Sequence, residues 1–129
     1  MKLLLDTHIW LWSLREPRRL SRRVARELAD PENELWLSPI SLWEALQLHA
    51  KRRIQVHGNL KSSLVEAAAR FREAPLTHEI VLASYQLKFA HRDPADRFLA
   101  ATAGVLGLTL VTADERLLGL GEIATLANR

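Results

Sequence analysis

The chain has 129 residues, 48% of them hydrophobic and 26% charged, with a net charge of +3 and no cysteine. This is a one-domain length with enough apolar material for a core, which excludes a disordered chain, and the missing cysteine excludes disulfides, thiolate zinc sites and a thiol nucleophile. No apolar run reaches the ~18 residues of a membrane span and no signal-peptide pattern is present, so a soluble, cytoplasmic protein that does not touch a membrane is expected.

Lys2 to Leu5 is a continuous apolar run of strand length, the pattern of a parallel strand buried on both faces. Thr7 to Arg15 follows with Ile9, Trp10, Leu11 and Leu14 at helical spacing, until Pro17 stops it. Ser21 is placed to cap a second helix reaching about Ala29, with Leu20, Val24 and Leu28 inward and Arg19, Arg22, Arg23 and Arg26 outward. After the turn residues Asp30-Pro31-Glu32-Asn33, Leu35-Trp36-Leu37 reads as a second strand. Ser38-Pro39 is a cap followed by proline at the first helical position, opening a helix to roughly Lys51.

Gly58-Asn59 separates that helix from another, Leu60 to about Arg70, and a short third strand is expected around Pro75-Leu76-Thr77. Thr77 or His78 opens a helix that ends before His91, and Asp93-Pro94 starts an alanine-rich helix with Gly104 and Gly107 near its end. Leu108 to Val111 is the fourth strand, Glu115 to Leu118 a brief helical turn, and Ile123 to Leu126 a marginal last strand. Strands alternating with helices imply a three-layer α/β domain on a mostly parallel sheet, with residues 1–129 forming one unit.

Four acids stand at the edges of, or inside, these apolar segments: Asp6, Glu44, Asp96 and Asp114. An ionised carboxylate buried without a partner costs on the order of several kcal/mol, so something positive should meet them, and a divalent metal is the economical candidate. Asp6 and Asp114 follow strands directly and belong at the carboxyl rim of a parallel sheet, where sites form next to the reversal of strand order. Asp96, in the first turn of a helix leading into the fourth strand, tends toward the opposite rim unless a loop returns that helix to the carboxyl edge; the sequence leaves both open.

Each acid also has a local structural explanation. Asp6 and Asp114 can cap the helices that follow them, Asp96 complements a helix dipole, and Asp93 before Pro94 reads as a cap. Ser41-Leu42-Trp43-Glu44 matches a capping box, but with Ser38 as the cap Glu44 falls in the second turn, on an apolar face flanked by Ile40 and Leu48. His8, His49, His57, His78 and His91 lack paired zinc-ligand spacing, and no glycine-rich phosphate loop occurs.

Charge is distributed unevenly. Six arginines (15, 18, 19, 22, 23, 26) lie between Arg15 and Arg26 against the single acid Glu16, and Lys51-Arg52-Arg53 with Lys61 forms a second basic patch. From Asp93 onward five acids (93, 96, 114, 115, 122) face three arginines (97, 116, 129). Basic flanks beside an acidic centre fit a metal-dependent enzyme acting on a polyanion, or a solvated arginine-rich helix face. The four tryptophans, Trp10, Trp12, Trp36 and Trp43, read as core or partner-facing residues ahead of base-stacking platforms.

Four blocks in order, Leu3-Leu4-Leu5-Asp6-Thr7-His8-Ile9-Trp10-Leu11-Trp12, Ser38-Pro39-Ile40-Ser41-Leu42-Trp43-Glu44, His91-Arg92-Asp93-Pro94-Ala95-Asp96-Arg97-Phe98-Leu99-Ala100-Ala101-Thr102-Ala103 and Leu110-Val111-Thr112-Ala113-Asp114, resemble PIN-domain ribonuclease toxins of the VapC type. The resemblance covers essentially the whole chain. It implies a PIN-like α/β/α fold with a central sheet of four or five strands and a Mg²⁺- or Mn²⁺-dependent endoribonuclease. The family's acids match Asp6, Glu44, Asp96 and Asp114, with Thr112 at a hydroxyl position and Asp93 extra, and the resemblance brings the third acid into the common pocket.

Oxygen-only ligands select hard cations. On this reading Asp6 and Asp96 are the principal metal ligands, Glu44 and Asp114 hold a second metal or orient water, and the basic segments with Arg97 position RNA. The resemblance further implies a small antitoxin whose peptide covers the groove near the acids, with Trp10 and Trp12 in the docking surface, and a homodimer. Two other classes compete: a catalytically silent RNA-binding or interaction module on the same fold, and a phosphotransfer domain using Asp6 as phosphoacceptor, for which the second acid two residues on is missing.

Overall fold

The computed structural model describes residues 1–88 and 93–129. Strand β1 (Lys2–Leu5) has Leu3, Leu4 and Leu5 all at 0% exposure, so the apolar run is buried on both faces, as its unbroken hydrophobicity requires. Leu3 and Leu5 join a cluster with Ile9, Trp10, Val24 and Leu64, whereas Leu4 joins Leu99, Ala100 and Leu110 on the other side. Strand alternation thus feeds two cores from one tetrapeptide, and each buried leucine contributes about 1.5–3 kcal/mol.

Helix α1 (Thr7–Arg15) leads through a 3-10 turn at Pro17–Arg19 into α2 (Arg22–Ala29), which Ser21 caps by accepting from the Val24 amide. The 3-10 turn was not expected from the sequence. Of α2 only Val24 is fully buried, with Leu20 and Leu28 packed partly against the same core and Arg22, Arg23 and Arg26 exposed. Strand β2 (Glu34–Leu37) and helix α3 (Pro39–Ala50) follow, the latter capped by Ser38. Then come α4 (Leu60–Ala68), β3 (Arg72–Glu73), α5 (His78–Gln86), α6 (Pro94–Leu106), β4 (Thr109–Thr112), α7 (Glu115–Leu118) and β5 (Thr125–Ala127).

Two strands fall beside their expected positions. The third pairs Arg72 and Glu73 with β2 instead of using 75–77, because Pro75 has no N–H to give a ladder and Thr77 is engaged in capping α5. The last strand lies two residues later than expected, at Thr125–Ala127. The helix opened by Thr77 ends at Gln86, before His91 as expected, and His91 and Arg92 of the third motif block lie outside the described residues.

All five strands are parallel, in the order β3-β2-β1-β4-β5. The chain builds outward from β1 through β2 to β3, then crosses back to place β4 against the free side of β1. Order therefore reverses between β1 and β4, and the crevice beyond their carboxyl ends is where such sheets carry ligands. Among the described residues, no helix is long and apolar enough to cross a membrane.

Candidate active site

Asp6 and Asp114 follow the two strands at this reversal. Leu5 pairs with Val111, and the Asp6 amide donates to the Val111 carbonyl at 3.0 Å, so Asp6 continues the ladder one step past the strand. Its Oδ1 accepts from the Thr7 amide at 2.8 Å, the cap expected of it. Oδ2 does something a cap does not require: it turns to the neighbouring strand and accepts from Thr112 Oγ1 at 2.7 Å. Thr112 Oγ1 in turn accepts from the Asp114 amide at 3.0 Å, while Asp114 caps α7 through the Arg116 amide.

On the other flank, Glu44 of α3 accepts from Thr7 Oγ1, which also lies 2.9 Å from the buried Ser41 Oγ. Hydrogen bonds thus link Glu44, Thr7, Asp6, Thr112 and Asp114 in turn, Thr7 using its hydroxyl toward Glu44 and its amide toward Asp6, and Asp114 joining through its backbone amide. Sequence reasoning named Thr112 but missed Thr7 and Ser41 as parts of the site. The available signal was their spacing, Thr7 beside Asp6 and Ser41 one turn before Glu44 on the same helix face.

Asp96 is buried at the third position of α6, and the path of that helix decides between the two rims that the sequence left open. Gly107, in the left-handed conformation at φ 67°, ends α6 only two residues before β4, while Leu99, Ala100 and Ala103 pack against Leu4 and Leu110. A helix that packs on the sheet and ends at the start of β4 must begin at that strand's carboxyl end. The connection from α6 into β4 places Asp96 at the same rim as Asp6 and Asp114. Asp93 caps α6 by accepting from the Ala95 amide, as expected.

The electrostatics show crowding of negative charge. Burial pushes the Asp6 carboxyl above its usual range, against the lowering effect of Thr112, Thr7 and the nearby His8, with the Asp114 charge adding to the rise. Glu44 is likewise raised, first by burial and then by the charges of Asp6 and Asp93, with the Thr7 bond opposing. Asp93 therefore belongs to the electrostatic neighbourhood of the site as well as to its helix.

One expectation needs correction. Trp10 is fully buried, its Nε1 donating to the Ala67 carbonyl at 3.3 Å, so it joins α1 to α4 and offers no docking surface; Trp12 is half-buried. Arg97 donates from one guanidinium nitrogen to the carbonyls of Ser84 at 2.7 Å and Leu87 at 3.3 Å, which clamps the end of α5 to α6 and compensates free carbonyls of a helix end.

The parallel order, the reversal between β1 and β4 and the acids gathered there define the class. The chain belongs to the PIN-domain family, whose model matches residues 3–123. Ribonuclease VapC22 of Mycobacterium tuberculosis (strain ATCC 25618 / H37Rv) is 36% identical over 115 residues, covering 88% of each chain, which places this protein with the VapC type. Among solved structures, a DNA-bound VapBC from Salmonella typhimurium superposes with a TM-score of 0.75 at 17% identity, over 100% of this chain and 99% of that one. FitAcB from Neisseria gonorrhoeae gives a TM-score of 0.70 at 23% identity, over 98% and 97%. Both share the fold.

Proposed function

We propose that residues 1–129 act as one PIN-like domain, a metal-dependent endoribonuclease that hydrolyses RNA phosphodiester bonds as the toxin of a toxin-antitoxin pair in the cytoplasm. The observation that carries this reading is the hydrogen-bonded run from Glu44 through Thr7, Asp6 and Thr112 to Asp114 at the strand reversal. Similarity to a protein named as a ribonuclease supports the substrate class.

The donor set fits a hard cation. Its side chains are carboxylates and hydroxyls, and among the described residues the buried Asp6 feels the nearby His8 but not a lysine or arginine, an environment in which a cation would be favourable. Among the described residues, no group of three acids or histidines surrounds one point closely enough to hold an ion alone. Mg²⁺ and Mn²⁺ are hard cations that take oxygen ligands, and Mg²⁺ commonly keeps several waters while binding one or two carboxylates. Asp6 and Asp96 would be the principal ligands, with Glu44 and Asp114 serving a second ion or ordering water.

When bound, the cation supplies Lewis acidity toward a water and the scissile phosphate. The chain's own residues do the rest. Thr7 fixes one oxygen of Glu44, whose raised affinity for a proton suits it to accept one from the attacking water on the other oxygen. Exposed Arg15, Arg18, Arg19, Arg22, Arg23 and Arg26 with Lys51, Arg52 and Arg53 hold the RNA backbone.

A small antitoxin peptide would cover the groove near the acids. A homodimer would use the outer face of α5, where Leu82 is 71% and Tyr85 88% exposed at helical spacing.

Titrating Mn²⁺ against the purified protein with a labelled RNA tests the activity. Cleavage that rises with the metal and vanishes in Asp6→Asn supports it. Binding without cleavage would instead mark a silent RNA-binding module, and a stable aspartyl-phosphate a phosphotransfer domain.

A further inference from the structure

Beside the acids, α1 and the end of α3 enclose a cavity of about 500 Å³ whose wall includes His8, Trp12, Arg15, Arg19, Arg53 and Ile54. It begins next to the candidate active site, since His8 is two residues past Asp6 and Trp12 one helical turn further on the same face. Trp12 is half-buried, packed in part against the first core cluster, and the Arg19 guanidinium lies over its ring, 4.2 Å from the centroid. His8 flanks the same ring, with centroids 5.9 Å apart and planes 31° from parallel.

The third side is set by an unusual turn. Helix α3 ends with the Arg52 amide bonded to the His49 carbonyl and the Arg53 amide to the Leu48 carbonyl, with Arg52 left-handed at φ 56°. This is the Schellman geometry, which normally places glycine where Arg52 stands. The turn reverses the chain so that Arg53 and Ile54 face Trp12 across the cavity.

We propose that this cavity is a nucleobase subsite of the RNA path, in which one base stacks on Trp12 and the adjoining phosphates meet Arg15 and Arg53. The proposal rests on the ribonuclease reading and specifies where a nucleotide next to the cleaved bond sits. Three observations favour a base over a peptide. A planar, delocalised group already lies on the ring from the cavity side, in the form of Arg19, and a base has the same shape and a larger π-face. Among the described residues, the Arg19 side chain pairs with Glu16 at 3.2 Å, both side chains being 57% exposed, and an exposed pair of this kind opposes little to its swinging off to a phosphate. The wall carries Arg15, Arg19 and Arg53 against the single acid Glu16, a balance that suits a polyanion.

The test is fluorescence anisotropy with a labelled single-stranded RNA dodecamer at fixed salt, in the Asp6→Asn background so that the probe survives. Trp12→Leu should weaken binding about tenfold or more, the usual loss of one base stack, and Trp12→Phe should recover most of it. Trp43→Leu, an exposed tryptophan elsewhere on α3, should change nothing. Inorganic polyphosphate is the second probe, and its affinity should fall in Arg53→Gln but not in Trp12→Phe or Trp12→Leu.

Equal loss of RNA and polyphosphate in Trp12→Leu overturns the proposal, because the cavity then reads charge alone. Unchanged RNA binding in folded Trp12→Leu, with loss only of a protein partner, overturns it in favour of a peptide site. If the otherwise wild-type protein cleaves RNA while Trp12 proves indifferent, the subsite falls and the ribonuclease reading stands. If it neither binds nor cleaves RNA, both fall.

Discussion

Thr112 donates its hydroxyl hydrogen to Asp6 at 2.7 Å across the two central strands, and the same oxygen receives the amide of Asp114 at 3.0 Å. One buried hydroxyl therefore ties the Asp6 carboxylate to the backbone of Asp114, 108 residues further along the chain (114 minus 6). Replacing it with the isosteric Thr112→Val leaves the Asp6 oxygen and the Asp114 amide without that partner, at a cost of about 1–3 kcal/mol. Cleavage should fall ten- to a hundredfold on an order-of-magnitude estimate, while Thr112→Ser keeps most of it. A folded, fully active Thr112→Val would show that the bond is incidental.

Asp6 should make the metal-free protein less stable as pH rises. Its folded-state affinity for protons is raised by burial, so the native state holds that proton more tightly than the unfolded chain does. The resulting stabilisation is complete below the ordinary aspartate range and is lost as pH climbs through the raised folded value. In EDTA at neutral pH, Asp6→Asn should melt several degrees above wild type, and the gap should close in acid. Thermal melts across pH check this, and an Asn variant no more stable than wild type at neutral pH contradicts the burial argument.

Mn²⁺ should reverse that order. It should raise the melting temperature of wild type and not that of Asp6→Asn, since only ionised carboxylates reward the ion. Asp114→Asn separates two roles in the same experiment. Asparagine caps a helix as well as aspartate does, so stability should hold while metal-dependent cleavage drops.

Arg52→Gly should stabilise the protein by about 0.5–1 kcal/mol, because glycine adopts the left-handed conformation at φ 56° without the cost an arginine bears. Chemical denaturation would measure the gain, and a loss of that size would mean that the Arg52 side chain contributes more than its backbone costs.

Charging the outer face of α5 should dissolve a homodimer. Leu82→Lys with Tyr85→Ser is expected to halve the sedimenting mass at micromolar concentration while leaving the fold unchanged, since both side chains are mostly exposed. If the mass is that of one chain before the change is made, the dimer reading is lost.

Much of this was legible in the residues. The run Leu3-Leu4-Leu5 announced a strand buried on both faces, and the pairs Ser21 with Val24, Ser38 with Pro39 and Asp93 with Pro94 marked helix starts where the structure has them. Glu44 was the acid no cap explained, and it proved to be tied to Thr7. What the sequence hid was long-range. Nothing local told that Asp6 would spend one oxygen on Thr112, that Trp10 would reach Ala67, or that Arg97 would clamp α5. The rim occupied by Asp96, left open by the sequence, follows from geometry, because a helix feeding a parallel strand runs against it and begins at that strand's far end. Pro75 moved the third strand by denying it a donor.

The strand order has a consequence for assembly. Asp6 follows β1 whereas its partner Thr112 ends β4, 106 residues further along, so the acidic rim depends on a pairing of high sequence separation, whose loop closure must be met before its contacts reward it. Until β4 docks, β1 has an open edge and the acidic rim has one wall. The first core waits on the same event, because Val111 and Leu126 belong to it together with Leu3 and Leu5. Packing and site are thus completed in a single step, and a change that loosens β4 should cost both at once.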